Sequence, residues 1–168
     1  MVNKEYLLDA NIIIKIWKLC PQLFKDIEKK DGVDFKISRH IAEELSIKEF
    51  AQYNGIPVLT DKFLELLDHI VDVNITNISE DYNTDENIKY EYKRNIFIIN
   101  DNKISKNDFS LIYACEKNEK YILVTEDKRL LDSAKFILEP SRVLTFDEFI
   151  KDLSKFQIGI EDLCKNSK

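Results

Sequence analysis

Asp9, Glu44, Asp108 and Asp127 stand out among the acidic residues by where they fall in the chain. Asp9 ends the apolar run Tyr6-Leu7-Leu8, and Ile12-Ile13-Ile14 resumes the apolar character just beyond Asn11. A carboxylate between two buried stretches is costly unless something pairs with it. One local explanation is a helix cap, since Asp and Asn both suit a strand-to-helix turn. Several carboxylates gathered at one place ask for more, because they repel one another at neutral pH and need a compensating cation. Hard oxygen ligands suit magnesium or manganese. One or two such ions would activate a water, hold a phosphate and stabilise its leaving oxygen, and no protein base is then required.

Whether the four acids meet depends on the elements that carry them. Strands and helices alternate along the chain. Tyr6 to Leu8 reads as a buried strand; Ile13, Ile16, Trp17 and Cys20 then recur at helical spacing, and Pro21 ends that helix and opens a second over residues 22–30. Phe35-Lys36-Ile37 reads as a second strand, and Ser38 leads into a helix carrying Ile41, Glu44, Leu45 and Lys48. Asn54-Gly55-Ile56-Pro57 reads as a loop, Phe63 to Val71 as a helical stripe, and Val71 to Ile75 as a third strand. Residues 79–95, polar with interspersed tyrosines, read as an exposed helix, and Ile96-Phe97-Ile98-Ile99 fits either strand or helix. Ser105-Lys106-Asn107-Asp108 is an acidic variant of a capping box ahead of a buried helix. Tyr121 to Val124 is the clearest strand; a helix over 129–134, a last strand 142–144 and the capping box Thr145-Phe146-Asp147-Glu148 follow.

Strands separated by helices imply a mainly parallel sheet covered on both faces, because each parallel connection needs a crossover. The expected fold is α/β, a three-layer sandwich with about five short parallel strands. Ligand sites in such sheets lie beyond the carboxyl ends of the strands. Asp9 and Asp127 both fall at that edge.

The 168 residues, 44% hydrophobic and 33% charged, suit a single domain over 1–168, with an enlarged middle about 76–104 and a C-terminal helix or tail about 146–168. No apolar stretch approaches the roughly 20 residues that span a bilayer, and MVNKEYLLDA lacks the pattern of a signal peptide. A soluble, cytoplasmic protein with no membrane partner is expected. Cys20, Cys115 and Cys164 read as reduced packing residues rather than a disulfide or zinc set. Two histidines and three glycines leave little material for a histidine-rich centre or a phosphate-cradling loop. The net charge of −6 argues against tight nonspecific binding to phosphate backbones. It does not exclude a site acting on phosphates, because bound divalent cations reverse the local sign.

Taken in order, YLLDANIII, ISRHIAEELS, SKNDFSLIYAC and YILVTEDKRL make the chain resemble the PIN-domain family of metal-dependent nucleases. That family's pattern is a strand ending in Asp-x-Asn, a Glu-Leu pair on an early helix, an Asp opening a buried helix and a strand ending in Thr-x-Asp. The separations of 35 residues from Asp9 to Glu44 and 19 from Asp108 to Asp127 suit it, while the 64 between Glu44 and Asp108 are slightly long. The likeness spans about residues 5–150. It implies that Asp9, Glu44, Asp108 and Asp127 hold one or two Mg2+ or Mn2+ ions, with Asp127 acting through water, and that Asn11 and Thr125 orient those carboxylates. Glu44 is preferred to Glu43 because it directly precedes Leu45 and lies one turn after Ile41. Glu126 and Asp132 read as solvated or helix-start charges.

The activity implied is endonucleolytic hydrolysis of RNA. Many small PIN proteins are toxins of bacterial toxin-antitoxin pairs and often dimers, so an antitoxin protein and a homodimer are the partners the likeness implies besides RNA. Two other readings compete. A PIN-like scaffold that only binds RNA or protein would lack one or more acids, and all four are present. A haloacid-type phosphatase wants a second acid two positions after its aspartate, where this chain has Asn11. Lys15, Lys18, Arg39, Lys128 and Arg129 lie near the expected edge and would reach phosphates, and Tyr82, Tyr90 and Tyr92, interleaved with Lys89, Lys93 and Arg94, would stack on single-stranded bases or pack the middle segment onto the domain.

Overall fold

The computed structural model describes residues 4–48, 50–53, 56–74, 78–82 and 85–158. The chain runs β1 (Lys4–Leu8), α1 (Ala10–Leu19), α2 (Leu23–Glu28), β2 (Val33–Ser38), α3 (Arg39–Lys48), β3 (Phe50–Tyr53), β4 (Ile56–Leu59) and α4 (Asp61–Leu64). A 3-10 turn at Leu67–His69 precedes β5 (Ile70–Val71), α5 (Ile78–Asp81), β6 (Ile88–Glu91), β7 (Ile96–Ile99) and β8 (Asn102–Ser105). It ends with α6 (Lys106–Lys117), β9 (Tyr121–Val124), α7 (Lys128–Ile137), a 3-10 turn at Pro140–Arg142, β10 (Val143–Leu144) and α8 (Phe146–Ser154).

Five strands form one sheet in the order β10-β9-β1-β2-β5. Every pairing in it is parallel. Tyr6, Leu7 and Leu8 in central β1 are each 0% exposed. Successive strand residues point to opposite faces, so both faces of the sheet are covered and the molecule is a three-layer α/β sandwich. Each such side chain contributes about 1.5–3 kcal/mol by leaving water. From the helices, Ile12, Ile13 and Ile16 of α1 and Phe109, Leu111 and Ile112 of α6 join this core. Cys20 and Cys115 are buried in it, and burial pushes the Cys115 thiol up to about 12. No helix among the described residues is long and apolar enough to cross a membrane.

The structure departs from the sequence expectations in the middle of the chain. In place of an exposed helix over 79–95 stand one turn, α5, and strand β6, which opens an antiparallel sheet β6-β7-β8. Alternation explains it: Ile88, Tyr90, Phe97, Ile99 and Ile104 fall on one face, with Tyr90 paired to Phe97 and Phe97 to Ile104. Asn100 and Asp101, at φ 46° and 69°, close β7 onto β8 with a two-residue turn whose twist suits a hairpin.

Ile56 and Pro57 stand in β4, paired with β3, rather than in a loop; Asn54 and Gly55 lie outside the described residues. The stripe Phe63 to Val71 is not one helix, since α4 stops at Leu64 and Ile70-Val71 pair with Ile37-Ser38. The third strand begins one residue earlier than expected and ends at Val71, and Ile75 lies outside the described residues. His69 pins this corner: its ring stacks on Phe35 at 3.8 Å, and its nitrogens meet the Phe35 carbonyl at 3.0 Å and Glu28 at 2.7 Å. The expected capping box at Thr145 and Glu148 forms with both halves made.

Candidate functional site

Chain order reverses around β1. β2 and β5 lie to one side of it, and β9 and β10, which come last, lie to the other. The carboxyl ends of β1 and β9 are therefore the switch point beside which parallel sheets bind ligands. Leu8 and Val124 are the last register pair of those strands, and the chains leaving them carry Asp9 and Thr125-Glu126-Asp127.

Asp9 is 7% exposed. Its amide donates to the Val124 carbonyl at 3.1 Å, which extends the β1–β9 ladder by one step. One carboxylate oxygen accepts from the Ala10 amide at 2.8 Å, and the other accepts from the Thr125 hydroxyl at 2.7 Å. Thr125 is fully buried, and its hydroxyl oxygen accepts from the Asp127 amide at 3.1 Å, so one side chain links the positions of two acids. The Asp127 carboxylate accepts from the Arg129 and Leu130 amides at 2.9 and 3.2 Å and caps α7. Asn11 accepts from the Glu126 amide at 3.3 Å; it steadies the loop after β9 rather than a carboxylate.

Asp108 lies in the first turn of α6, where the Ser105 hydroxyl accepts from its amide at 3.0 Å. Burial, with the Asp9 carboxylate next in importance and Asp127 and Glu44 adding to it, pushes the Asp108 carboxyl up to about 6. Burial also raises Asp9; the Thr125 and Ala10 hydrogen bonds oppose the rise, and Asp127 and Glu44 reinforce it. Asp9 and Asp108 are thus within electrostatic reach of each other, and Glu44 and Asp127 act on both. Glu43 instead lines a hollow of about 170 Å3 with Ser38, Arg39, His40, Asp72 and Asn107.

Glu44 is exposed and reaches Lys48 one turn on, at 3.3 Å. With Glu44 turned to Lys48 and Asp127 to the α7 amides, no three acidic, histidine or cysteine side chains among the described residues converge to hold an ion as they stand. Capping accounts for the local conformations of Asp9 and Asp127. It does not account for a half-buried Asp108 within electrostatic reach of Asp9, or for Glu44 acting on both.

The sequence reading passed over two groups here. His40 is held at Nδ1 by the Ser38 and Ser110 hydroxyls at 3.1 and 3.5 Å, and its buried Nε2 has no hydrogen-bond partner among the described residues. Burial lowers its pKa against the pull of Glu44 and Glu43. The visible signal was Ser38-x-His40; the second serine arrives from 70 residues away. Glu126 is not simply solvated: it accepts from the Phe146 amide at 3.0 Å and pairs with Lys15 at 3.5 Å, which ties α8 to the site loop. Of the basic residues expected at this edge, Lys15 packs over Phe146 and Arg39 is paired with Asp72. Lys128 and Arg129 are exposed in the first turn of α7, while Lys18 lies in the last turn of α1, about 13 Å of helix away from Asp9.

A pH dependence follows from Asp108. Its folded pKa near 6 lies above the ordinary carboxylate value, so the native state holds the proton more tightly. That contribution to stability is complete below about pH 4 and is lost as pH rises through about 6. Asp108→Asn removes the titration. In chelator, the denaturation midpoint of the native protein is expected to fall between those pH values by more than that of Asp108→Asn. Parallel pH profiles for the two proteins would show that Asp108 titrates normally.

Comparison with protein-family models and with curated proteins gives no match. Among solved structures, the chain is similar to the crystal structure of PAE2754 from Pyrobaculum aerophilum, with 12% identity, 90% of each chain covered and a TM-score of 0.51. At that identity the likeness is one of fold, and it agrees with the parallel-sheet architecture described above.

Proposed function

We propose that this protein is a divalent-metal-dependent endoribonuclease acting on single-stranded RNA. The observation that carries the reading is that Asp9, buried at the switch point of the sheet, and half-buried Asp108 act on each other and both feel the charges of Glu44 and Asp127. The donor set fits the ion: carboxylate oxygens suit Mg2+ or Mn2+, and the raised pKa values of Asp9 and Asp108 mark a place where uncompensated negative charge is costly. Asp9, Glu44, Asp108 and Asp127 would hold it. When bound, such an ion makes a water acidic enough to attack and neutralises charge on the scissile phosphate.

The chain's own residues do the positioning. Thr125 fixes the Asp9 carboxylate through its hydroxyl and the Asp127 backbone through the same oxygen, so the two strand-end acids keep their spacing. Asn11 holds the intervening Glu126 amide. Ser105 sets the first turn of α6 and with it Asp108. Lys128 and Arg129, exposed beside Asp127, are placed to meet flanking phosphates.

Helix capping by Asp9 and Asp127 favours a second reading, a non-catalytic scaffold whose acids serve the fold. A haloacid-type phosphatase is disfavoured, because Asn11 stands where that reading wants a second acid two positions after Asp9. The deciding experiment is incubation of the purified protein with single-stranded RNA under Mg2+, Mn2+ or excess EDTA. Cleavage is expected only with the metals and is expected to stop on chelation. Undiminished cleavage in EDTA would remove the metal from the mechanism, and none under any condition would favour the scaffold.

A further inference from the structure

The acid site leaves the β6–β7 hairpin unexplained. Its tip, Tyr92-Lys93-Arg94-Asn95, is exposed, and Tyr92 leaves 76% of its surface in solvent. The Tyr92 ring meets Tyr90 edge-on at 4.7 Å, Tyr90 lies 4.8 Å from Phe97, and Phe97 stacks at 4.0 Å on Phe109 of α6. The exposed ring is thus backed by half-buried Tyr90 and, behind it, by buried Phe97 and Phe109.

The tip is also tied to the helix that carries Asp108. The Lys106 amide donates to the Asn95 carbonyl at 3.2 Å, and the Lys106 ammonium lies 5.6 Å from the Tyr90 ring centroid. Lys106 is two positions before Asp108, so the hairpin tip stands at the end of α6 where the acids gather.

Two further observations point to a ligand. A cleft of about 460 Å3 opens here, lined by Tyr82, Asp85, Glu86, Lys89, Tyr90 and Tyr92 among others, and the buried Tyr82 hydroxyl has no hydrogen-bond partner among the described residues. The segment 88–106 carries five basic and two acidic residues, a local +3 in a chain of net −6. Glu91 holds Arg94 through two contacts of 2.7 Å, which braces the tip while Lys93 extends from it into solvent.

We propose that this tip is a subsite for an unpaired base of an RNA strand. Tyr92 stacks on the base, Tyr90 backs that ring, and Lys93 and Lys106 neutralise the neighbouring phosphates on the path to Asp108. An aromatic face beside cations is the combination by which single strands are held without sequence readout, and a base inside a duplex has no free face to offer. The substrate class is that of the proposed nuclease, on which this inference rests, but binding at the tip is separable from the chemistry.

The test is fluorescence anisotropy in EDTA, with a labelled RNA of about 12 nucleotides made of adenine and cytosine only, so that it cannot pair with itself. Tyr92→Ala is expected to weaken binding at least about fivefold, and Tyr92→Phe, which keeps the ring, to bind like the native protein. Lys93→Ala should reduce the slope of log affinity against log salt by about 0.7. The same RNA in a duplex should bind more weakly than the single strand. Native affinity in Tyr92→Ala, a Tyr92→Phe as weak as Tyr92→Ala, or no binding by the native protein would overturn the subsite. Binding with this pattern but no cleavage under any metal would count against the nuclease and leave the subsite standing.

Discussion

Asp9→Asn is expected to lower RNA cleavage by more than about 100-fold, beyond the loss usual for a residue that only supports a metal ligand. The substitution keeps the shape and removes the charge. The carbonyl of the introduced side chain can still accept from the Ala10 amide, and its NH2 group can donate to the Thr125 oxygen, so both contacts of the native residue find a counterpart. Asp9 is buried and its pKa is raised mainly by that burial, so at neutral pH the native carboxylate is a charge the fold holds at a cost. The Asn variant should therefore melt at or slightly above the native temperature in chelator, while adding Mn2+ should stabilise the native protein and not the variant. Near-native turnover at limiting metal would show Asp9 to be a helix cap and nothing more.

Glu44→Gln should be nearly as damaging, and its neighbour supplies the control. Adjacent helical residues point about 100° apart, so only one of the pair faces the acids comfortably. Glu44 acts electrostatically on both Asp9 and Asp108, whereas Glu43 lines the His40 hollow. Both side chains are exposed, and Ile41, Ala42 and Leu45 carry the buried face of α3, so both variants should fold. Glu44→Gln is expected to lose cleavage by about two orders of magnitude or more and to need more metal, while Glu43→Gln stays within about threefold of native, as distance from a ligand position implies. Freeing Lys48 from its bond to Glu44 is too small an effect to mimic this, since exposed pairs of that spacing contribute about 0.3–0.5 kcal/mol. An inactive Glu43→Gln beside an active Glu44→Gln would mean that the α3 register is one residue out.

The parts of the fold that could be read from sequence are those with local causes. Tyr6-Leu7-Leu8 and Tyr121 to Val124 are continuous apolar runs because both of their faces are covered, and Ser105 and Thr145 cap their helices through residues three positions away. The segment 79–95 read as an exposed helix because its alternation is short and, Ile88 apart, its apolar members are tyrosines, which suit an exposed helix nearly as well as a half-buried strand. The hairpin signal there was Asn100-Asp101, which lacks the glycine that makes such a turn conspicuous. At the site, the acids were visible as types in context, but their supports were not. Thr125 meets Asp9 across 116 residues and Ser110 meets His40 across 70, and no periodicity encodes a side-chain contact of that span.

The outermost strands of the main sheet, β5 and β10, are two residues long each. An edge that short offers an approaching strand few unpaired amides and carbonyls, which is how natural sheets guard against joining end on end into fibres. Among the described residues the main sheet thus offers little edge to either side, and a second copy of the chain, if one binds, would find more surface on the helices or the small accessory hairpins. Self-association of this protein would then build a defined pair rather than a continuing ribbon.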